Sequence, residues 1–257
     1  MLTTHSIGHR LKNYRLQKGV SQMDIELGIC ASFGSISRIE SGKVNPTKET
    51  IEKIATILSL TDRELDYLVG PTSVPATIEE CDLAENETNE YFQDKYAVAY
   101  LTDDRLRMIR MSSALYKILN LTPEQVEQIR YKTLVEFLLV EKYGIKKFFV
   151  INYERNLSLI IQRFVAETGH MIDDESYLAQ RELILSDPIA SRIWFEVINN
   201  GHNNIFKYDE HFITFNYFGT ELKLRYINEP LAKYKRFHII EYIPTDELKM
   251  LLAKSNA

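Results

Sequence analysis

Cysteine is almost missing from this chain. Cys30 and Cys81 are the only two thiols in 257 residues. Two are too few for a disulfide framework and lack the paired spacing of a zinc site, so reduced structural thiols are expected. The six histidines (His5, His9, His170, His202, His211, His238) fall in no HExxH or Cys/His spacing, and no metal is expected. There is no run of about 18 apolar residues to span a bilayer, and Met1 to Gly8 lacks a basic-then-apolar leader pattern. No membrane partner and a cytoplasmic location follow as expectations. Gly-x-Ser-x-Gly elbows, Walker loops and GxGxxG are absent too. Asp173-Asp174 has no partner cluster and reads as a loop or helix cap. No catalytic residue, no cofactor and no enzymatic activity are therefore expected, and an enzyme fused to an anchor ranks last among the readings.

What is present is ordinary globular usage, 45% apolar and 26% charged, which calls for a packed core. At about 150 residues per domain the length suggests two folding units. The net charge is -5, against a protein that coats polyanions indiscriminately. That sum hides an asymmetry. Residues 1 to 48 carry seven Lys or Arg against Asp24, Glu26 and Glu40, a surplus of +4 on an otherwise acidic body. Only the front of the chain is suited to approach a polyanion.

From Ile7 to Gly70 the pattern predicts five short helices. Ile7, Leu11 and Tyr14 recur at helical spacing before the stop at Gly19. Ser21 with Asp24 opens a second helix reaching about Gly28. Ser32 is read as the cap of a third, ending at Glu40-Ser41-Gly42. Asn45-Pro46-Thr47 starts a fourth with a stripe of Ile51, Ile54, Ala55 and Leu58. Thr61 with Glu64 is a capping box for the fifth. Gly70 to Pro75, with two prolines, marks a boundary. Glu79 to Asp94 holds seven acidic residues and no basic one, a solvated helix face or a tether.

Beyond it, Tyr96 to Leu101 and Leu106 to Met111 read as strands around an Asp103-Asp104 turn. Helices are predicted after Thr122-Pro123 and over 134–139, 156–167, 176–185 and 189–198. From Ile205 the period changes to two, through Phe212 to Tyr217, Leu222 to Tyr226 and Phe237 to Ile243. The second half is thus a sheet split in sequence by a block of helices.

The front of the chain resembles the XRE family, the lambda-repressor type of helix-turn-helix domain. The matching residues are Gly8-x-Arg10-Leu11-x3-Arg15, Gly19-Val20-Ser21-Gln22, Ile36-Ser37-Arg38-Ile39-Glu40-x-Gly42, Asn45-Pro46-Thr47 and Leu65 to Leu68. The resemblance implies a double-stranded DNA operator as partner, read by a homodimer. It places Gln22 at a phosphate and the third helix in the major groove, with Ser32, Phe33, Gly34, Ser35, Ser37 and Arg38 at base edges or nearby phosphates. Phe33 would meet a thymine methyl and Gly34 would permit close approach. Lys43 and Asn45 would touch the DNA backbone. Arg15 and Glu40 match a pair that ties the first helix to the third, and an internal ion pair is the expected role. Glu26 and Cys30 stand where the family usually has small residues.

Residues 89 to 245 resemble, more loosely, the ligand-binding domain of MmyB-like transcription regulators, a PAS-like fold. The resemblance rests on 96–109, Arg155-Asn156-Leu157, Arg163-Phe164-x-Ala166-Glu167 with Asp173-Asp174, Ser186-x-Pro188-x5-Trp194 and the late strands. A shortened, unusual middle runs from Tyr143 to Tyr153. The resemblance implies a pocket for a small apolar effector such as a fatty acid. Tyr100, Met108, Phe164, Trp194, Phe212 and Phe215 would line it. Arg155 or Arg163 would hold a carboxylate. The competing reading makes this half a peptide- or protein-binding module.

The expected fold class is α+β: an all-α, five-helix lambda-repressor-like DNA-binding domain over residues 1–70, a linker over 71–88, a PAS-like α/β sensor over 89–245, and a C-terminal helix or tail over 246–257.

Overall fold

The computed structural model of the chain describes residues 6–143, 153–199, 212–217 and 220–254. His5, His202, His211, most of the unusual 143–153 middle and the beginning of the late period-two stretch lie outside the described residues. No helix among the described residues is long and apolar enough to cross a membrane.

The chain divides into two compact units. One is Met1–Pro75 together with Gly169–Leu178, and the other is Ala76–Thr168 with Ala179–Ala257. The sequence draws the first border at Gly70-Pro71, and nothing in its local pattern marks the ten-residue return.

The first unit contains α1 (Ile7–Gln17), α2 (Gln22–Gly28), α3 (Ser35–Glu40), α4 (Lys48–Ile57) and α5 (Asp62–Val69). Their starts are set by short-range chemistry. The Ser21 hydroxyl accepts from the Asp24 backbone N–H (3.1 Å), while the Asp24 carboxylate accepts from the Ser21 N–H (3.0 Å). Thr61 and Glu64 repeat the device at α5. Such boxes satisfy backbone donors that a helix start otherwise leaves open. The core joins Leu11, Tyr14, Ile25, Ile36, Ile54 and Leu58, and it includes Met171 from the returning segment. Gly8 lets α1 and α3 touch: a Cβ there would sit 2.1 Å from the Ile39 carbonyl oxygen.

The second unit is built on a five-stranded sheet of β1 (Val98–Asp103), β2 (Met108–Met111), β3 (Phe212–Tyr217), β4 (Thr220–Pro230) and β5 (Phe237–Tyr242). The strand order is β2-β1-β5-β4-β3 and every pairing is antiparallel. Every residue of β1 is buried, because both sheet faces are covered. On one face Ala99, Leu101, Ile109 and Phe237 pack with Ala76, Cys81, Ala84 and Phe92. Those partners come largely from α6 (Ile78–Glu87) and α7 (Asn89–Gln93). The acidic stretch is therefore a pair of helices with one buried side. Glu80 binds Arg236 (3.4 Å) and Glu85 binds Arg130 (2.5 Å), two of the carboxylates that composition alone reads as free surface charge.

Between β2 and β3 run α8 (Ser113–Ile118), α9 (Pro123–Ile129), α10 (Leu134–Leu139), α11 (Tyr153–Thr168), α12 (Glu175–Ser186) and α13 (Pro188–Asn199). The unit ends in α14 (Asp246–Lys254), which buries Leu248 and Leu252. Helices on a mostly independent antiparallel sheet make the chain α+β.

Candidate nucleic-acid interface and buried cavity

One short element in the first unit departs from its sequence reading in an instructive way. Ser32 does not cap α3. The helix begins at Ser35, and its N-cap is Gly34, whose φ of 79° is left-handed and which offers no side-chain acceptor. Glycine adopts that conformation at no steric cost. The missing acceptor comes from ten residues upstream: Glu26, buried at 5% exposure, takes the Ile36 backbone N–H on Oε1 at 3.0 Å. The residue that departs from the family's small-residue pattern thus fixes the start of the helix. Ser32 instead shares a hydroxyl contact with Ser35 (3.0 Å), and the Arg38 guanidinium donates to the Ser35 hydroxyl (3.2 Å).

The far end of α3 is held by Glu40. Its carboxylate accepts Arg15 Nε at 2.6 Å, Arg15 Nη2 at 3.1 Å and Gln22 Nε2 at 2.6 Å. The bidentate Arg15 pair ties α1 to α3, and its hydrogen bond with Glu40 raises the Arg15 pKa. Gln22 spends one amide N–H on Glu40, which leaves its second N–H to donate to a phosphate.

Between these clamps α3 turns Ile36, Ile39 and Glu40 inward and leaves Ser37 and Arg38 exposed. Phe33, in the turn before it, is 87% exposed. An aromatic ring held in water at that level has no packing role within its own unit. Lys43 and Asn45 are exposed in the following loop, which folds back so that the Lys43 N–H meets the Arg38 carbonyl at 2.9 Å. Gly34 and Ser35 are half-buried, while Ser32 is exposed. The nine positions proposed from sequence therefore lie on α3, its leading turn, its trailing loop and the start of α2.

The same unit takes in the returning segment through polar groups as well as Met171. Asp173, 6% exposed, accepts from the Tyr67 hydroxyl (2.7 Å) and the Asn13 amide (3.0 Å), with His9 Nδ1 at 3.1 Å. The Tyr14 hydroxyl donates to the His170 carbonyl at 2.6 Å. Burial, then the nearby carboxylates Glu64 and Asp173, push the Tyr14 phenol far above its usual pKa, so it remains a donor. Asp174, by contrast, caps α12 by accepting the Ser176 N–H at 2.9 Å. Of the pair read as a loop or helix cap, Asp174 is a cap, and Asp173 is instead a buried tie.

The second unit holds a partly open cavity of about 50 Å³ on the sheet face opposite α6. Tyr100, Met108 and Phe215, all singled out from sequence, stand on its wall with Tyr242, Leu159 and Arg163. The other four candidates stand elsewhere. Phe164 is fully buried against Trp194, ring centroids 6.0 Å apart, where α11 meets α13. Arg155 is exposed, and Phe212 is half-buried beneath the Lys223 ammonium, 4.8 Å from its ring centre. Ile160 and Arg163 of α11 line the cavity, while the Phe164 ring packs on Trp194 of α13.

Arg163 is the polar feature of that wall. Nη1 donates to the Tyr100 hydroxyl at 2.8 Å, and Nε donates to Glu167 at 2.7 Å. Burial works to lower the pKa of Arg163, but Glu167 outweighs it and the guanidinium is held above its ordinary value. Tyr242, stacked edge-on to Phe215 at 5.2 Å, is raised by burial and stays neutral. Tyr242 and Leu159 were not candidates; for Tyr242 the side on which a buried strand residue falls depends on pairing register.

The helix-turn-helix family model matches residues 11–65, the span that holds both clamps and α3. That match supports a DNA-binding transcription regulator of the XRE type. No curated protein matches the chain.

Proposed function

We propose that this chain is a sequence-specific transcription regulator that reads an operator with α3 and senses a small apolar effector in its second, PAS-like unit. The observation that carries the reading is the exposed Ser37 and Arg38, with Phe33 in the turn before them, on a helix fixed at both ends by the buried carboxylates Glu26 and Glu40. Rigid presentation of a few polar and apolar side chains is what base-edge discrimination needs. The surplus positive charge of residues 1 to 48 adds the phosphate attraction. The chain acts as a homodimer, with two reading heads about 34 Å apart on successive turns of the duplex.

For the sensor, support comes from a sheet interrupted by helices and from the apolar cavity with one neutralised polar corner. A space of about 50 Å³ admits a few waters' worth of ligand at roughly 10–15 Å³ each. A long fatty-acid tail fits only if the walls move. A short apolar molecule with one hydrogen-bonding end fits the Tyr100 and Arg163 corner, because a carboxylate there competes with Glu167 for the guanidinium.

The test is a duplex selected from random sequence on the full-length protein, followed by fluorescence anisotropy. Arg38→Ala with Gln22→Ala should abolish preferential binding. Undiminished binding of the double variant would sink the DNA-reading assignment. Native mass spectrometry of gently purified protein tests the effector by seeking a retained small molecule lost in Tyr100→Ala.

A further inference from the structure

The DNA-reading unit contains a piece of chain that belongs, in sequence, to the other half of the protein. Gly169–Leu178 follows α11 without a break and leads into α12. Inside the first unit its Asp173 is gripped by His9 and Asn13 of α1 and by Tyr67 of α5, its His170 carbonyl by Tyr14 of α1, and its Met171 is 1% exposed in the core. The helix on its other side is a cavity wall: α11 contributes Leu159, Ile160 and Arg163. Fewer than two helical turns separate Arg163 from the end of α11 at Thr168.

We propose that Gly169–Leu178 transmits the state of the cavity to the DNA-reading unit, with Asp173 as the tie. This rests on the sensor reading of the second unit. A helix is stiff along its axis, so a displacement of α11 by an occupant is passed to the segment at its end. A buried carboxylate with three polar partners resists letting go, because leaving such a group without partners is costly. Strain is then shared between the tie and the packing of α1 and α5, and α1 in turn is tied to α3 through Arg15 and Glu40. By linkage, DNA binding acts back on the cavity with the same coupling factor.

The experiment is hydrogen exchange by mass spectrometry on the full chain, without DNA or effector. Ile160→Phe, which enlarges a half-buried wall residue of α11, stands in for an occupant; Leu115→Ala, which empties the cavity from α8, is the second perturbation. Each should change exchange in α1 and α5 by at least about threefold, and each change should vanish when combined with Asp173→Ala, the non-additivity that marks a coupled pair. Asp173→Ala alone should speed exchange of the 169–178 amides about tenfold. A merely structural plug gives the last result without the first two. Exchange in α1 and α5 that ignores both cavity variants, or responds equally with Asp173 removed, overturns the proposal. Because the readout needs neither operator nor ligand, failure to find a bound small molecule would count against the sensor reading and leave this result standing.

Discussion

Two arginines on the same unit illustrate how different jobs follow from burial. Arg15 is buried and bidentate to Glu40, whereas Arg38 is exposed and touches only its own helix surface among the contacts described. Glu40→Ala leaves the buried Arg15 uncompensated and should destabilise the unit by about 3–5 kcal/mol, a large part of the stability of an ordinary domain. Urea denaturation followed by circular dichroism measures it. Arg38→Ala should change stability by less than about 0.5 kcal/mol while weakening duplex binding. A similar midpoint shift for both variants would contradict this division of labour. Glu26→Ala should cost about 1–3 kcal/mol, since the Ile36 N–H loses its partner. The Arg15 and Glu40 pairing was legible because spacing within a familiar pattern points to it. The role of Glu26 was not, since ten residues and a turn separate it from the amide it satisfies.

Elements were legible where their determinants are local. The boxes at Ser21 and Asp24, Thr61 and Glu64, and Thr122 and Gln125 each act over three residues, and all three mark true helix starts. The third helix escaped that logic, because the left-handed Gly34 moves its start past Ser32. Gly34→Ala should cost roughly 1–2 kcal/mol by forcing a side chain into that conformation, even though the space around it is open. Acidic composition likewise hid the buried side of α6. Cys81 on that side is 1% exposed, and burial pushes its thiol up to about 11. At pH 8 only about one part in a thousand is thiolate, the reactive form. Iodoacetamide should therefore label the exposed Cys30 and spare Cys81 until denaturant is added. Equal labelling rates in the native protein would mean that α6 does not pack on the sheet.

At the scale of the whole molecule, charge and topology pull on the same question. A basic front on a chain of net charge -5 predicts duplex binding that weakens steeply with salt, with a log-log slope set by the number of phosphates neutralised. Lys43→Ala should make that slope shallower by about one counterion per head, measured by anisotropy between low and moderate salt. The two-unit organisation was legible from length and from Gly70 to Pro75. The return of 169–178 was not: Asp173 meets partners 106 and 160 positions away, and no local pattern encodes such a distance.

That return sets a rule for recombining these heads. A chimera that grafts residues 1–75 onto a foreign receiver domain discards Met171 from the core and leaves Tyr67 and Asn13 facing an empty notch. A swapped head that carries the donor's 169–178 stretch along with residues 1–75 should be the more stable of the two chimeras, so such a module is exchanged as two separate stretches of chain.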